Sequence, residues 1–228
     1  MWLINSSVGR KVVMSITGAS LVLFLLFHAS MNLVAIISEE GYNMICEFLG
    51  ANWYALVATA GLAGLVMVHI LYAFILTVQN YRARGSERYA VSGNQKEVSF
   101  ASKNMLVLGV IVVLGIGLHL FNFWYKMQFA EILHMAGVAD VDVAQATNGV
   151  HWIKETFSCP VYVGLYLVWL AALWFHLTHG VWSAMHSLGL NNNIWMKRVK
   201  CISNIVSTLV ILMFAVVPVY YFAMSLCA

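Results

Sequence analysis

Four histidines lie deep inside long uncharged stretches of the sequence: His28, His69, His119 and His176, with His179 about one helical turn after His176. Ionisable residues inside apolar spans are costly and are commonly functional. A neutral imidazole is a good metal ligand, and two imidazoles on opposite sides of a flat ring hold a haem iron. An interhelical hydrogen bond is the alternative role for any one of them.

The uncharged stretches that contain these histidines are long enough to form helices that cross a membrane. The uncharged runs are 12–38, 48–81, 104–125, 156–196 and 201–228. Each is longer than the ~20 residues of a span; Pro160 suits the start of the fourth helix, which must end near Gly189. The sequence therefore predicts one all-α domain over residues 1–228, an integral membrane bundle of five transmembrane helices. We expect them near 11–38, 53–81, 103–128, 160–187 and 201–226.

The composition agrees with a membrane bundle. Of 228 residues, 62% are apolar and 9% are charged, whereas a soluble domain carries about 25% charged residues. This balance excludes an ordinary soluble domain, a disordered chain and a nucleic-acid-binding protein. The first apolar run follows Arg10 and Lys11, as in a secretory signal, but it is too long for one, so we expect a retained helix.

The basic residues predict the orientation of the bundle. Ten of the twelve Lys and Arg residues fall in segments on one side of the predicted membrane, and Lys126 and Lys154 fall on the other side. The ten are Arg10, Lys11, Arg82, Arg84, Arg88, Lys96, Lys103, Lys197, Arg198 and Lys200. The positive-inside rule then places the N-terminus in the cytoplasm and the C-terminus outside.

Depth along the helices sorts the histidines into two pairs. His28 and His119 fall in the outer half of the first and third helices, whereas His69 and His176 fall in the inner half of the second and fourth. Two haems held in this way would form an electron path across the membrane. Glycines near these histidines give either room for a haem edge or close helix packing. They are Gly61, Gly64, Gly115 and Gly180.

Position assigns the remaining histidines. His179 is either the alternative inner ligand or a neighbour of the haem, and depth favours His176 as the ligand. His186, at the inner helix end, meets a propionate or solvent. His134 and His151 lie in the long outer connection, where surface histidines are the default, although a quinone site could recruit one.

The four cysteines form no CxxC or CxxCH motif. This argues against covalent haem attachment and against a thiolate metal site. Cys46 and Cys159 can both reach the outer face, where the alternatives are a disulfide and two unpaired thiols, the latter favoured.

Two segments resemble a known family. The segment SITG at 15–18, with His28 ten residues after its glycine, resembles the first helix of the dihaem cytochrome b anchor subunits of succinate:quinone oxidoreductases and quinol:fumarate reductases. The segment FHLTHGVW at 175–182 resembles their fourth helix. The resemblance covers essentially the whole chain, with one ligand histidine on each of the first four helices.

This resemblance implies two haem b groups, one at each histidine pair, with Ser15 and His179 as haem neighbours. It also implies that the chain anchors a flavoprotein subunit and an iron–sulfur subunit on the cytoplasmic side of a bacterial inner membrane. Through it, electrons would pass between menaquinol or menaquinone and the subunits that interconvert succinate and fumarate. The chain would thus be one subunit of an enzyme of the respiratory chain.

The quinone site is expected near the outer haem. Glu39 and Glu40, just past the first helix, are candidate proton acceptors with Glu47 behind them, and solvated loop acids are an equally good interpretation. Some members of the family carry a glutamate two residues before the ligand of the fourth helix. Trp174 stands there in this chain, so a carboxylate path for protons cannot be carried over.

Two other functions compete with this one. The first is a dihaem cytochrome b subunit of another respiratory complex, of the hydrogenase or formate dehydrogenase type. The second is a haem-free transporter or structural bundle, against which the lack of Gly/Pro-interrupted mid-membrane helices argues.

Overall fold

The computed structural model describes residues 6–84, 100–190 and 192–227, and within these ranges the chain has no β-strand. Ten α-helices and one π-helical segment form the described fold. They are α1 (Ser7–Ile37), α2 (Glu39–Phe48), α3 (Trp53–Arg84), α4 (Phe100–Lys103), α5 (Met105–His119) with the π-helix Leu120–Trp124 directly after it, α6 (Gln128–Met135), α7 (Val143–Ala146), α8 (Gly149–Phe157), α9 (Pro160–Ser187) and α10 (Trp195–Cys227). The predicted all-α fold is confirmed for the described residues.

Five of these helices are long and apolar enough to cross a membrane: α1, α3, α5 with its π-helical continuation, α9 and α10. The shortest, Met105–Trp124, has 20 residues. At about 1.5 Å per residue it is about 30 Å long, the thickness of a hydrocarbon core. The prediction of five apolar spans is confirmed, and the architecture is that of a multi-pass membrane protein.

The bundle has two different ends. At one end Tyr221 of α10 donates a hydrogen bond of 2.7 Å to the Ala35 carbonyl of α1. The short helices α2, α6, α7 and α8 connect the spans there, and we call this the cap end. The other end carries Lys197, Arg198 and Lys200 at the start of α10, and we call it the basic end. Nearer this end, Ser203 of α10 donates to the Thr178 carbonyl of α9. The predicted basic loop residues Arg88 and Lys96 lie in 85–99, outside the described residues.

The last helix begins earlier than the sequence predicted. It was expected near residue 201, but α10 starts at Trp195 because the Asn192 side chain accepts hydrogen bonds from the backbone N–H groups of Ile194 and Trp195. Three basic residues that precede the expected start therefore lie on the first turns of α10: Lys197, Arg198 and Lys200. Lys200 Nζ lies 4.8 Å from the centre of the Trp182 ring, a distance at which an ammonium group is attracted to an aromatic face.

The third span is not the single α-helix over 103–128 that the sequence predicted. Regular α-helix ends at His119, and the π-helix follows, in which the Tyr125 N–H bonds to the Leu120 carbonyl at 2.8 Å. The wider turn inserts an extra residue and buries Asn122, which donates to the Tyr166 hydroxyl on α9. Single π-helical turns are frequent at functional sites.

Helix α9 lies at the centre and packs against α1, α5 and α10. Ser203 and Ser207 of α10 are fully buried, because small side chains let helix backbones approach closely in a membrane bundle. Helix α3 has fewer close neighbours than α9: among the described residues, it packs mainly against α1.

Candidate functional site: two histidine pairs

The histidine pair nearer the cap end joins α1 to the end of α5. The ring centres of His28 and His119 are 5.8 Å apart, and the ring planes are inclined at 80°. His119 is the last α-helical residue before the π-helix. The structure thus brings together the two residues that were expected at the outer depth.

The pair nearer the basic end joins α3 to α9. The ring centres of His69 and His176 are 6.5 Å apart, with an angle of 61° between the planes. The structure brings His176 rather than His179 to this distance from His69. The ring of His179 packs instead on Trp182, with centres 5.0 Å apart.

Both pairs have a spacing that fits two ligands of one metal ion. Imidazoles bound through nitrogen at about 2 Å on opposite sides of a metal have ring centres about 6 Å apart. Among the described residues, no group of three or more His, Cys, Asp and Glu side chains is placed to hold a metal. At each of the two levels, the described structure brings together two imidazole rings from different helices.

His69 is held by the first helix. Its Nδ1 atom lies 3.0 Å from the Thr17 hydroxyl oxygen. A methyl group placed at Gly18 would lie 3.4 Å from His69 Cε1, so the glycine lets the ring come close to the α1 backbone. Sequence reasoning missed Thr17 and Gly18 in this role, although both belong to the segment SITG that carried the resemblance.

Ser15 was expected beside a haem. It is buried, and its hydroxyl donates a hydrogen bond of 2.8 Å to the Lys11 carbonyl one turn earlier. The polar side chain of this segment that contacts a histidine ligand candidate is Thr17.

Aromatic rings surround the pair at the cap end. Phe24 stacks on His28 at 5.4 Å, and Phe214 approaches the same ring at 5.6 Å. The ring of His119 lies 5.2 Å from that of Phe123 and 5.9 Å from that of Trp169. Four aromatic side chains thus pack around the two imidazoles.

Gly115 does not supply the room for a haem edge that the sequence suggested. The space that a side chain at this position would occupy is filled by the indole of Trp169, which also donates to the Val112 carbonyl at 3.2 Å. By contrast, a methyl group at Gly61, Gly64 or Gly180 would meet no atom within 4 Å.

His176 and His179 both carry a buried Nδ1 atom without a hydrogen-bond partner among the described residues. Unsatisfied buried nitrogens are costly and need a partner. His186 is exposed and lies on the far side of Trp182, with ring centres 6.5 Å apart. Trp174, two residues before His176, donates to the Thr208 hydroxyl of α10 at 3.0 Å.

The candidate proton acceptors lie on the surface of the cap end. Glu39 and Glu40 form the first turn of α2. Glu39 pairs with Lys154 at 2.8 Å and its side chain is half exposed, whereas Glu40 and Glu47 line an open depression together with Thr147. No contact in the described structure joins these acids to either histidine pair.

A different carboxylate at the cap end is partly buried. Glu131 of α6 accepts a hydrogen bond of 3.1 Å from the Ala51 N–H. Burial raises the pKa of this carboxyl, and the Ala51 hydrogen bond opposes the rise. Nothing in the sequence distinguishes Glu131 from a loop acid, because its burial depends on how α6 folds back over the start of α3.

The other cap-end histidines and the cysteines occupy ordinary positions. His134 is exposed, and His151 lies 3.5 Å from the Glu155 carboxylate. All four cysteines are unpaired. Burial raises the pKa of the Cys46 thiol to about 11, so this thiol stays protonated at neutral pH.

No family model, curated protein sequence or solved structure matches this chain. The functional assignment therefore rests on the histidine pairs and on the motifs around them.

Proposed function

We propose that this chain is the dihaem cytochrome b anchor subunit of a quinol:fumarate reductase or succinate:quinone oxidoreductase. The observation that carries the proposal is the pairing of four intramembrane histidines from four helices, at ring-centre distances of 5.8 and 6.5 Å. In this proposal, His28 and His119 hold one haem b, and His69 and His176 hold the other. Bound haem would supply reversible one-electron transfer, which side chains of this composition do not provide.

The protein's own contribution is to hold neutral imidazoles in a dry environment. Aromatic side chains enclose the pair at the cap end, and Thr17 with Gly18 positions His69 at the other. Both arrangements restrict the rotation of a ring before any ligand binds. Such preorganisation lowers the entropy cost of binding a cofactor.

The basic end is proposed to face the cytoplasm of a bacterium. Its described basic side chains are Arg10, Lys11, Arg82, Lys103, Lys197, Arg198 and Lys200, and Lys and Arg are enriched on the cytoplasmic side of inner-membrane proteins. The flavoprotein and iron–sulfur subunits would dock there. This orientation places the N-terminus inside and the C-terminus outside.

Menaquinol oxidation, or menaquinone reduction, is proposed at the cap end. Glu39 and Glu40 are the proposed proton acceptors, since they are half exposed or exposed at the end nearer His28 and His119. Both residues lie in the first turn of α2. A protonated quinol could release its protons to such groups and from them to water.

Purification of the complex with its neighbouring subunits tests the proposal. We expect two non-covalent b haems per chain in a pyridine haemochrome assay, together with a flavoprotein and an iron–sulfur protein. A hydrogenase-type or formate dehydrogenase-type catalytic subunit in the same preparation would assign the chain to another respiratory complex. A folded complex without a b-type absorption band would overturn the dihaem assignment. An exposed-histidine variant, His134→Ala, should keep both haems.

A further inference from the structure

Thr17 is a buried polar residue whose side chain points at a histidine on another helix. It is 6% exposed, and its Oγ1 atom lies 3.0 Å from His69 Nδ1. The same oxygen lies 3.0 Å from the Val13 carbonyl and 3.1 Å from the Met14 carbonyl. Three potential partners thus surround one hydroxyl group.

The hydrogen atoms have one arrangement that satisfies these contacts together. A carbonyl oxygen can only accept, so the single hydroxyl hydrogen of Thr17 goes to the backbone of α1. The hydroxyl oxygen then accepts a hydrogen bond from Nδ1–H of His69. This assigns the proton of the neutral imidazole to Nδ1 and leaves the lone pair on Nε2.

The partner ring lacks this support. His176 Nδ1 is buried and has no hydrogen-bond partner among the described residues. The two rings of one pair are therefore treated differently by the protein: His69 is fixed in tautomer and orientation by a neighbouring helix, and His176 is not.

We propose that Thr17 is a positioning residue that fixes the tautomer of His69 and lowers the reduction potential of the iron that His69 binds. The inference rests on the proposed function and concerns the same site. A hydrogen bond from the non-ligating ring nitrogen makes a histidine ligand more basic, and a more basic ligand stabilises the oxidised iron. Hydrogen bonding to ligands is one of the means by which proteins set haem potentials.

Three variants separate this role from simple packing. Thr17→Val has nearly the same shape but no hydroxyl, whereas Thr17→Ser keeps the hydroxyl. Thr77→Val is the matched control, because Thr77 lies on the same helix as His69 and its hydroxyl donates only to the Ala73 carbonyl, at 2.8 Å, among its described contacts. All three are to be prepared as the whole complex.

The measurement is a redox titration of the two b haems, with low-temperature electron paramagnetic resonance of the oxidised protein. Thr17→Val should raise the reduction potential of one haem by up to about 59 mV. For a one-electron couple, this corresponds to a change of up to about tenfold in the ratio of reduced to oxidised haem. The other potential should stay in place. Thr17→Ser should restore the original value, and Thr77→Val should leave both values unchanged.

Loss of one haem from Thr17→Val with retention of both in Thr17→Ser would also support the role, because the hydroxyl is what Ser restores. Unchanged potentials and resonance spectra in a Thr17→Val protein with two haems would overturn it. So would an equal shift in Thr77→Val. If the unaltered protein holds no haem b, the proposed function itself fails, which is a different outcome from an insensitive Thr17 variant.

Discussion

The indole of Trp169 on α9 occupies the place where a side chain at Gly115 on α5 would lie. The same ring lies 5.9 Å from His119. One glycine therefore sets how closely α5 and α9 approach beside the cap-end histidine pair.

Gly115→Ala should push Trp169 out of its position. Overpacking of a filled core costs about 1–3 kcal/mol, and the displaced indole would disturb His119. We expect a lower melting temperature and loss of one of two b haems, measured by thermal unfolding and a haemochrome assay. Gly117→Ala is the matched control on α5, since a methyl group there meets no atom within 4 Å. Equal stability of the two variants would contradict this account.

His176→Ala should remove one haem, or prevent assembly, while His179→Ala should retain both. The reason is that His176, not His179, lies 6.5 Å from His69, whereas His179 packs on Trp182. Reduced-minus-oxidised spectra and haem-to-protein ratios measure the difference. If His179→Ala loses a haem and His176→Ala keeps both, the wrong member of the pair has been assigned.

Glu131→Gln should stabilise the protein at high pH and have less effect at low pH. Burial raises the pKa of Glu131, so the folded protein keeps this proton to a higher pH than the unfolded chain does. The free energy of unfolding therefore falls as the pH rises from the carboxyl pKa of the unfolded chain through the higher pKa of the folded protein. Gln can still accept the Ala51 hydrogen bond without the charge.

Melting temperatures at about pH 4, near the ordinary carboxyl pKa, and at about pH 8, well above it, test this expectation. Glu47→Gln, an exposed acid at the same end, controls for the change in net charge. A Glu131→Gln protein with the same gain at both pH values would show that the raised pKa is not the cause.

A cysteine placed at Val138, which is 72% exposed between α6 and α7, should react with a membrane-impermeant maleimide added to intact cells. The positive-inside rule places the cap end outside. A cysteine at Gly93, in the stretch 85–99 outside the described residues, should react only after the cells are opened. Both variants require a background without the four native cysteines, and the reverse labelling pattern would invert the proposed orientation.

Menaquinol-driven fumarate reduction by the complex should generate a membrane potential. Each unit charge that crosses the full potential involves about 2.3 kcal/mol per 100 mV. No Asp or Glu lies in the uncharged runs 12–38, 48–81, 104–125, 156–196 and 201–228, and Trp174 bonds to Thr208 rather than offering a proton-carrying group. A voltage-sensitive dye in sealed, uniformly oriented vesicles measures the potential. Turnover without a potential would mean that protons return through the bundle by another route.

The sequence alone was sufficient to predict the number of apolar spans and which histidines lie next to each other. The spans follow from the absence of charge over 20 or more residues, a property of consecutive residues that requires no knowledge of packing. The pairs follow because the rise per residue is fixed and the membrane gives all helices a common reference plane. His28 and His119 thus share one depth, and His69 and His176 share another.

Tertiary structure decided what surrounds those histidines. The contact of Thr17 with His69 depends on the rotation of α1 about its axis, which depth does not determine. Gly115 serves Trp169 rather than a cofactor because side chains of two helices compete for one space. The burial of Glu131 and the π-helical turn after His119 likewise arise from contacts between segments far apart in the chain, and such contacts leave no periodic pattern in the sequence.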